Sequence, residues 1–428
     1  MTKRTRWDSS SDEEDEISKT KYENDEILEK QILSICSEDN GNTKRPADGV
    51  IGNAAADNTF TKHNPLLQGC RSVYSSYHRI QRIDEGTYGV VWKAMDLSTK
   101  EVVALKQIKF DPQLSKDGFP VAALREISIL LSLSHPNIVT VREMVVGEKS
   151  DKVFMVMEVR LFDCVMRERG FDGGISDLTI STTNHKNDTK YYVYKHMEMD
   201  LHEAIEQSGK CPFSQSENKY MLYQLLSAVN HIHSNWILHR DLKTSNILVH
   251  RSGRIAVCDF GLARKYQNPA IKMTQTVVTL WYRPPEILLG ETVYGPEIDM
   301  WSVGCIFGEL LQKEAILKGQ GELDQIDLIF KLLGVPTDDS WPGYKNLPSS
   351  MFRWRKTTEP TLRKTFPINS FSGGQSFLDS IGYDLLTKLL TLDPEKRIKA
   401  DEALKHEYFC TGVHLESPAF QFKHETNA

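Results

Sequence analysis

Runs of apolar residues along this chain have two lengths and spacings, one typical of short strands and the other of longer helices. Short runs rich in β-branched and aromatic residues predict strands at 80–83, 90–94, 102–106, 153–158, 247–249 and 254–257. Helical spacing predicts one helix that opens at 119–127, with Pro120 near its first turn, and another at 213–234, which ends around residues 232–238.

A polar stretch, His-Arg-Asp-Leu-Lys-Thr-Ser-Asn at 239–246, follows the second helix, and Asp-Phe-Gly comes at 259–261. A loop held between a helix and a strand pair presents polar side chains at fixed separations. Asp241 is then a candidate base, and Asn246 and Asp259 are candidate oxygen ligands for Mg²⁺, which needs few protein ligands because phosphate and water complete its octahedron. The alternative is an Asp/Asn-rich turn with no catalytic role. The presence of two motifs in the expected order, at 239–246 and 259–261, argues against this alternative.

A glycine-rich turn, Asp-Glu-Gly-Thr-Tyr-Gly at 84–89, separates the first two predicted strands. Glycines let the backbone approach phosphates and leave amide donors facing them. Any hairpin can carry such a turn, but Lys106 in the next strand makes it a candidate phosphate cover with an anchoring lysine. The carboxylate of Asp84 must then point away from phosphate, because like charges at short range repel.

Composition narrows the class of protein. The 428 residues carry a net charge of −6, which argues against a dedicated nucleic-acid surface. Seven scattered cysteines without a C-x-x-C pair predict a reduced intracellular protein with no zinc site. No apolar run is long enough to span a bilayer, and the first residues lack a signal-peptide core. We therefore expect a protein that binds neither membrane nor nucleic acid directly.

Polar tails are predicted at both ends, at 1–75 and 411–428. The first contains an acidic run at 8–16. Such a run repels itself, and burial cannot offset the entropy of ordering its backbone, so we expect disorder. Serines beside the acidic residues are either sites for acidophilic kinases or part of a solubilising tail, and the second reading is the more common one.

The pattern H-R-D-L-x-x-x-N with D-F-G resembles the protein-kinase catalytic core. Residues 120–126, Pro-Val-Ala-Ala-Leu-Arg-Glu, resemble the PITSLRE/PSTAIRE helix by which cyclin-dependent kinases bind a cyclin. The stretches 135–143, 235–241 and 299–310 resemble the PITSLRE subfamily, in the CMGC group of protein kinases. Asp84 fits that subfamily, which also has an acidic residue there. The resemblance covers about 77 to 409, with one interruption.

The resemblance implies the two-lobed protein-kinase fold, of class α+β, with a β-rich N-lobe at 76–158 and the hinge and a mainly helical C-lobe at 196–410. It implies a cyclin-dependent serine/threonine protein kinase that uses ATP and Mg²⁺, phosphorylates Ser/Thr-Pro sites in proteins, and acts in transcription, pre-mRNA splicing or the cell cycle. The partner implied is a cyclin, bound through residues 120–126. Nuclear residence is expected, with cytoplasmic residence besides.

An alternative class is a catalytically weak kinase-like scaffold that docks a cyclin. Asp84 and the interruption favour this alternative, whereas the intact Lys106, Asp241, Asn246 and Asp259 oppose it.

The resemblance implies roles for the residues of this sequence that match the motifs of the kinase family. Glu126 is expected to pair with Lys106 and orient its amine toward the α and β phosphates. Asp241 orients the substrate hydroxyl as base, and Lys243 neutralises charge on the transferred phosphoryl group. Asn246 and Asp259 hold magnesium. The residues expected to line the ATP site are Ile83, Glu85, Gly86, Thr87, Tyr88, Gly89, Val91, Ala104, Lys106, Glu158, Met197, Asp200, Asn246, Leu248 and Asp259.

The activation segment, residues 259–286, is expected to carry the activating phosphothreonine at Thr274, with Thr276 as a competitor. Phosphate there adds nearly two negative charges, for which Arg125, Arg240 and Arg264 form the expected pocket.

Two further positions, Thr87 and Tyr88 in the glycine-rich turn, match the family's inhibitory phosphosites or are simply turn residues. Cys258 is either a modifiable thiol or, as we favour, a buried inert cysteine.

The end of the activation segment is expected to serve specificity and stability. Val277 and Val278 resemble the segment that selects proline after the target residue, since proline has no amide hydrogen to leave unpaired. Glu286 is expected to pair with Arg397 in a structural role, although Pro284 replaces the usual alanine before it.

An interruption at 159–195 separates the last predicted strand of the N-lobe from the hinge. A long insert looping out from two fixed ends is thermodynamically acceptable, because closure entropy grows slowly with length. A translated in-frame intron is the other hypothesis, because a valine codon begins GT, a lysine codon can end AG, and the segment runs from Val159 to Lys195. We favour the intron; mature transcripts that read through the segment would contradict it.

Overall fold

The computed structural model describes residues 70–86, 89–108, 121–147, 153–158, 160–161, 192–193, 199–208, 213–250, 252–267, 272–274, 277–350, 359–367 and 378–411. All of them belong to the second of two structural units, residues 57–428, and the first unit, 1–56, lies outside the described residues. The predicted disorder therefore stays a prediction for residues 1–69 and 412–428.

A six-stranded sheet accounts for most of the described residues between 70 and 158. Its strands are β1 (Arg71–Ser72), β2 (Tyr77–Gly86), β3 (Gly89–Asp96), β4 (Val102–Ile108), β5 (Thr140–Val146) and β6 (Val153–Glu158). The order across the sheet is β1-β5-β6-β4-β3-β2, and neighbours are antiparallel except β1 and β5. The helices with this sheet are α1 (Val73–Ser76) and α2 (Val121–Ser132). The four strands predicted up to residue 158 are confirmed.

Helices dominate the rest of the described chain. They are α3 (Leu201–Gln207), α4 (Gln215–Ser234), α5 (Pro285–Leu288), α6 (Glu297–Gln312), α7 (Glu322–Leu333), α8 (Leu362–Thr365), α9 (Ser380–Leu389), α10 (Ala400–Leu404) and α11 (Glu407–Cys410). Every residue of α6 from 298 to 311 is buried, so this helix forms the centre of the helical part. In the described part of the chain, no helix has the length and apolar character needed to cross a bilayer.

Short strands frame the loop that carries the predicted chemistry. They are β9 (Met199–Asp200), β10 (Ile237–Leu238), β11 (Ile247–Val249), β12 (Ile255–Val257) and β13 (Arg264–Lys265). The predicted strand pair is confirmed, because β11 pairs antiparallel with β12 as well as with β9. The second predicted helix ends at Ser234, inside the expected range, and Ile237–Leu238 forms a strand paired with β13.

The folded part begins before residue 76, where the sequence places the first lobe. Arg71–Ser72 forms β1, and the side chain of Val73 is only 1% exposed. Residues 70–75 therefore belong to the fold and not to the polar tail.

The ends of the interruption at 159–195 lie side by side. β7 (Arg160–Leu161) pairs antiparallel with β8 (Tyr192–Val193), with Arg160 opposite Val193. The chain therefore leaves and re-enters the fold at adjacent positions, as a closed loop does. Residues 162–191 lie outside the described residues, so the insert and the retained intron both stay hypotheses.

Stacked imidazoles join the loop after α2 to the long helix α4. The ring centroids of His135 and His231 are 5.2 Å apart. The Nδ1 atom of His135 accepts from the backbone N–H of Asn137 at 3.1 Å, and Nε2 lies 3.1 Å from the Ser227 hydroxyl. Burial, with a further contribution from His231, lowers the pKa of His135 to about 4. The fold therefore holds this ring neutral.

Acidification should weaken this contact. The folded-state pKa of His135 lies below its ordinary 6.5, so its contribution is fully present above about pH 6.5 and is lost as the pH falls toward 4. We expect the urea midpoint of the wild type to fall between pH 7.5 and 5. His135→Asn, which keeps a hydrogen-bond acceptor but cannot titrate, should fall less. Equal slopes for the two proteins would contradict the assignment.

Candidate active site

The loop at 239–246 is fixed by a buried carboxylate beneath it. Asp299 of α6 is 1% exposed and accepts from the backbone N–H groups of His239 and Arg240, each at 2.9 Å. The Nε2 atom of His233 lies 2.9 Å from the same carboxylate. Burial alone would raise the pKa of Asp299, but the hydrogen bond and charge of His233 outweigh it and hold this pKa below its ordinary value. The loop is therefore anchored to the most buried helix of the protein.

The carboxylate of Asp241 is held on both oxygens. Its Oδ1 atom accepts from the backbone N–H of Thr279 at 3.1 Å and from the Thr279 hydroxyl at 2.8 Å. Its Oδ2 atom lies 3.0 Å from Lys243 Nζ and 3.1 Å from Asn246 Nδ2. Lys243 also donates to the Thr279 hydroxyl at 3.2 Å. Carboxylate, amine and hydroxyl thus share one small site.

A second constellation joins the sheet to the Asp-Phe-Gly turn. Lys106 of β4 donates to Glu126 of α2 at 2.7 Å, the pair that the sequence predicts, and lies 3.4 Å from Asp259 Oδ1. Burial favours the neutral amine, but the attraction of Glu126 and Asp259 outweighs it and raises the pKa of Lys106. The amine is therefore charged and directed between two carboxylates.

The Asp-Phe-Gly turn packs against the loop through aromatic rings. Phe260 is fully buried and meets the His239 ring edge-on, with centroids 4.8 Å apart. The Nε2 atom of His239 lies 3.0 Å from the Cys258 carbonyl oxygen. Asp259 adopts a left-handed conformation (φ 58°), and its side chain stays 33% exposed beside Lys106. This exposure leaves its carboxylate accessible to a ligand.

The donors present fit a magnesium ion with phosphate. Asn246 Nδ2 donates to the backbone oxygen of Asp241 at 2.8 Å as well as to its carboxylate, so the amide oxygen is the atom left for a ligand. Asp259 supplies the second oxygen. Within the described residues no group of three or more His, Cys, Asp or Glu side chains forms a metal site. Two protein oxygens suit Mg²⁺, which keeps water and phosphate ligands.

The predicted ATP-lining residues lie partly on one face of the sheet. Val91 is opposite Lys106 in the sheet, and Ala104 precedes it by two residues, so the three share a face. Asp200 caps α3 by accepting from the Glu203 N–H at 2.8 Å, and Ile83 on β2 is 54% exposed. Leu248 is partly buried on β11.

Other predicted members of the site are described only in part or not at all. Only the backbone is described for Glu85, Gly86, Gly89 and Glu158, and Thr87, Tyr88 and Met197 lie outside the described residues.

Thr274 lies against the loop arginine. Its hydroxyl accepts from Arg240 Nη1 at 3.3 Å, and its carbonyl oxygen accepts from the Tyr294 hydroxyl at 2.6 Å. Arg240 also donates to Tyr294 at 2.9 Å. The structure thus brings one arginine of the predicted pocket to Thr274. The convergence of Arg125 and Arg264 stays a prediction, and Thr276 lies outside the described residues.

Val278 occupies an unusual backbone conformation, left-handed at φ 64°. A β-branched residue adopts such a conformation only where its surroundings impose it. Here the Val278 N–H donates to the Arg240 carbonyl oxygen at 2.9 Å, and its own carbonyl oxygen accepts from Arg283 Nε at 3.1 Å and Nη2 at 3.0 Å. Both backbone groups of Val278 are therefore engaged inside the protein.

The predicted contact between Glu286 and Arg397 is present as a buried bidentate pair, with N–O distances of 2.7 and 2.9 Å. Arg397 donates further to the carbonyl oxygens of Glu297 and Thr391, at 2.7 and 2.9 Å. The pair joins α5 at the end of the activation segment to the chain before α10.

Burial raises the pKa of the Cys258 thiol to about 12, which supports the inert role favoured for this residue.

Comparison with known proteins decides the family. The protein kinase domain family matches residues 77–172 and 177–409. The chain belongs to the protein kinase family. Cyclin-dependent kinase G-2 of Oryza sativa subsp. indica is 47% identical over 344 residues, which cover 80% of this chain and 42% of that protein. Cyclin-dependent kinase 11B of Mus musculus and of Rattus norvegicus are each 44% identical over 349 residues, which cover 81% of this chain and 38% and 69% of those proteins.

These relatives confirm the membership that the motifs predict, a PITSLRE-type cyclin-dependent kinase of the CMGC group, and with it the two-lobed α+β fold. The chain spans about two fifths of the length of the first of these relatives. The family implies use of ATP and a divalent metal.

Sequence reasoning missed three residues of this kinase site. Asp299, Thr279 and Tyr294 received no role, although they anchor the loop, Asp241 and Thr274 respectively. Asp299 and Thr279 lie inside stretches already singled out, at 299–310 and in the activation segment. A polar residue at the start of a long apolar helix was the available signal for Asp299, since a buried carboxylate needs donors.

Removing one partner of the buried ion pair should be costly. Arg397→Met leaves Glu286 uncompensated in the interior, and we expect the free energy of unfolding to fall by about 3–5 kcal/mol. Lys405→Met is the matched control, because it breaks an ion pair with Asp401 whose side chains are 77% and 52% exposed, and it should change stability by less than about 1 kcal/mol. Urea denaturation of the two variants tests this, and equal losses would contradict it.

Proposed function

We propose that this chain is a cyclin-dependent serine/threonine kinase that transfers the γ-phosphate of ATP to Ser or Thr followed by Pro. The observation that carries the proposal is the simultaneous presence of two constellations. Lys106 contacts both Glu126 and Asp259, while Asp241 is held by Thr279 and Lys243. Phosphoryl transfer depends on positioning and charge stabilisation, which these contacts provide.

Each side chain has a definite task in this proposal. Lys106, fixed by Glu126, holds the α and β phosphates of the nucleotide. Asp241 orients the attacking hydroxyl and takes its proton, and the adjacent Lys243 offsets negative charge on the transferred group. Asn246 and Asp259 would hold Mg²⁺, which neutralises phosphate charge when bound.

The surface of α2 supports a cyclin as partner. Leu124 and Leu131 are exposed, Leu131 by 65%, and Ser128 between them is exposed as well. Residues at i, i+4 and i+7 lie on one helix face, so this exposed face carries a leucine on either side of a serine. Exposed leucines on the helix that carries Glu126 suit a partner that controls the position of that glutamate.

The hydrogen bonds of the Val278 backbone explain why proline is favoured directly after the target Ser or Thr. Its carbonyl oxygen is bonded to Arg283, so it cannot accept from the amide of a substrate residue that follows the target. An ordinary residue there would leave its N–H unpaired, whereas proline has none. Ser/Thr-Pro sites are therefore favoured by exclusion.

The alternative of a catalytically weak scaffold rests on Asp84 and the interruption. The side chain of Asp84 and residues 162–191 lie outside the part of the chain that the structure describes. The contacts of Lys106 and Asp241, by contrast, are those of an assembled active site. We therefore prefer the enzyme. Nuclear residence and a role in transcription, splicing or the cell cycle are further proposals that rest on the family resemblance alone.

Transfer of radiolabelled phosphate to a Ser-Pro peptide tests the proposal. The purified chain, saturated with a cyclin, should label the peptide, and Asp259→Asn should lower the rate by at least about 100-fold because it removes an oxygen that holds Mg²⁺. Lys405→Met, on the surface of the C-lobe, should leave the rate unchanged. If the wild type and Asp259→Asn label the peptide equally, the scaffold is the correct reading.

Proline selectivity should depend on Arg283. Arg283→Met releases the Val278 carbonyl oxygen, so we expect the ratio of kcat/KM for Ser-Pro over Ser-Ala peptides to fall by about 10-fold, the value of one hydrogen bond. Glu322→Gln is the control, because it removes only the charge of the exposed partner of Arg283, 2.7 Å away, and should preserve the ratio. An unchanged ratio in Arg283→Met would remove Val278 from the account of specificity.

A further inference from the structure

Residues 70–76, which we call the clasp, precede the part of the chain that matches the protein kinase family, which begins at residue 77. They are nevertheless folded onto its sheet. Arg71 and Ser72 pair in parallel with Val145 and Val146 of β5, the strand that would otherwise form the edge. At the other end of the clasp, the Ser76 carbonyl oxygen accepts from the backbone N–H of Leu97 at 2.9 Å. The clasp is thus fastened at two separate places.

The clasp packs on both faces of the sheet. Val73, 1% exposed, belongs to the cluster that contains Leu105 and Phe154 on one face. Cys70 packs against the small cluster of Ile108 and Val153 on the other face, since residues on a strand alternate between faces. A segment that contributes to both sides of a sheet edge is part of its core.

A network of charged side chains holds the clasp in register. Arg71 donates from Nε to Glu143 at 3.2 Å and from Nη2 to the Tyr77 hydroxyl at 3.0 Å, and it lies 3.5 Å from Asp96. The hydrogen bond from Arg71 is the largest cause of a lowered pKa at Glu143. Arg142 lies 3.8 Å from the same aspartate, so the cluster ties the clasp to β2, β3 and β5 together.

The cluster that Cys70 joins lies on the same face of the sheet as the Lys106–Glu126 ion pair. Ile108 follows Lys106 by two residues on β4 and shares its face. Ala123 and Ile127 of α2, which flank Glu126 along the helix, pack against the same cluster as Cys70. Lys106 and Glu126 therefore each have a near neighbour in the chain that packs in the same apolar cluster as Cys70 of the clasp.

We infer that the clasp holds α2 in the position at which Glu126 meets Lys106, so that Cys70 and Arg71 are positioning residues for nucleotide binding. The role of this α2 position in catalysis rests on the proposed function. The effect of the clasp on the position of α2 does not depend on that function and can be measured without enzyme turnover.

Hydrogen exchange of the full chain tests the inference. Arg71→Met removes the charged contacts but keeps the volume, and Cys70→Gly removes the apolar contact. Each should make the α2 amides exchange at least about 5-fold faster, while those of the buried helix α6 stay unchanged. Ser75→Ala, at an exposed position of the clasp, is the control and should change neither helix. Unchanged α2 exchange in both variants, or equal acceleration in α2 and α6, would overturn the inference.

A double-mutant cycle shows whether the effect passes through Glu126. Arg71→Met should weaken binding of the non-hydrolysable analogue AMP-PNP with Mg²⁺ by about 3-fold, and this weakening should disappear in a Glu126→Gln background. Arg71→Lys, which can still reach Glu143, should restore part of the affinity. Additive losses would show that Arg71 acts elsewhere. A wild type that binds no AMP-PNP would refute the proposed function and leave hydrogen exchange to decide on the clasp.

Discussion

The carboxylate of Asp299 is the constraint on which the active-site geometry depends. Arg240 has a left-handed backbone (φ 66°), which costs on the order of 1–3 kcal/mol for a residue with a side chain. Two backbone N–H bonds to Asp299 hold this conformation. From there Arg240 reaches the Thr274 hydroxyl with its guanidinium and the Val278 N–H with its carbonyl oxygen. One buried carboxylate therefore fixes the residue that contacts the activation segment at both Thr274 and Val278.

The opposite end of α6 repeats this arrangement. Glu309, 2% exposed, accepts from the Tyr282 hydroxyl at 2.6 Å and from the Thr244 hydroxyl at 3.0 Å; Thr244 lies in the loop at 239–246, which we call the catalytic loop. The pKa of Asp299 is lowered because the hydrogen bond and charge of His233, 2.9 Å away, outweigh burial. Burial raises the pKa of Glu309, whose nearest partners are two hydroxyls and whose imidazole partner, His202, lies farther away at 3.7 Å. Ten residues of helix separate the two carboxylates, about 15 Å. The catalytic loop is thus held from one rigid helix at two points.

The sequence predicted those contacts whose two partners both lie in short motifs. Lys106 and Glu126, and Glu286 and Arg397, are far apart in the chain, but each residue is set by its own local pattern. The folding of residues 70–75 could not be predicted in this way. Val73 stands alone as an apolar residue among polar neighbours, and its burial depends on a sheet face built from five strands, β2 to β6. The anchoring role of Asp299 was missed for the same reason, since its donors are backbone groups that any residue supplies.

The helix α2 shows how one element can serve both stability and control. One of its faces packs with Ile108 and Val153 behind the ion pair, and the other exposes Leu124 and Leu131. Ile129 and Leu130 of α2 are 2% and 1% exposed and join the large cluster that includes Met155 of the sheet, so buried apolar contacts hold the helix along its length. The Lys106–Glu126 pair lies between these faces, so the clasp and the partner that we propose for the exposed face would act on the same ion pair.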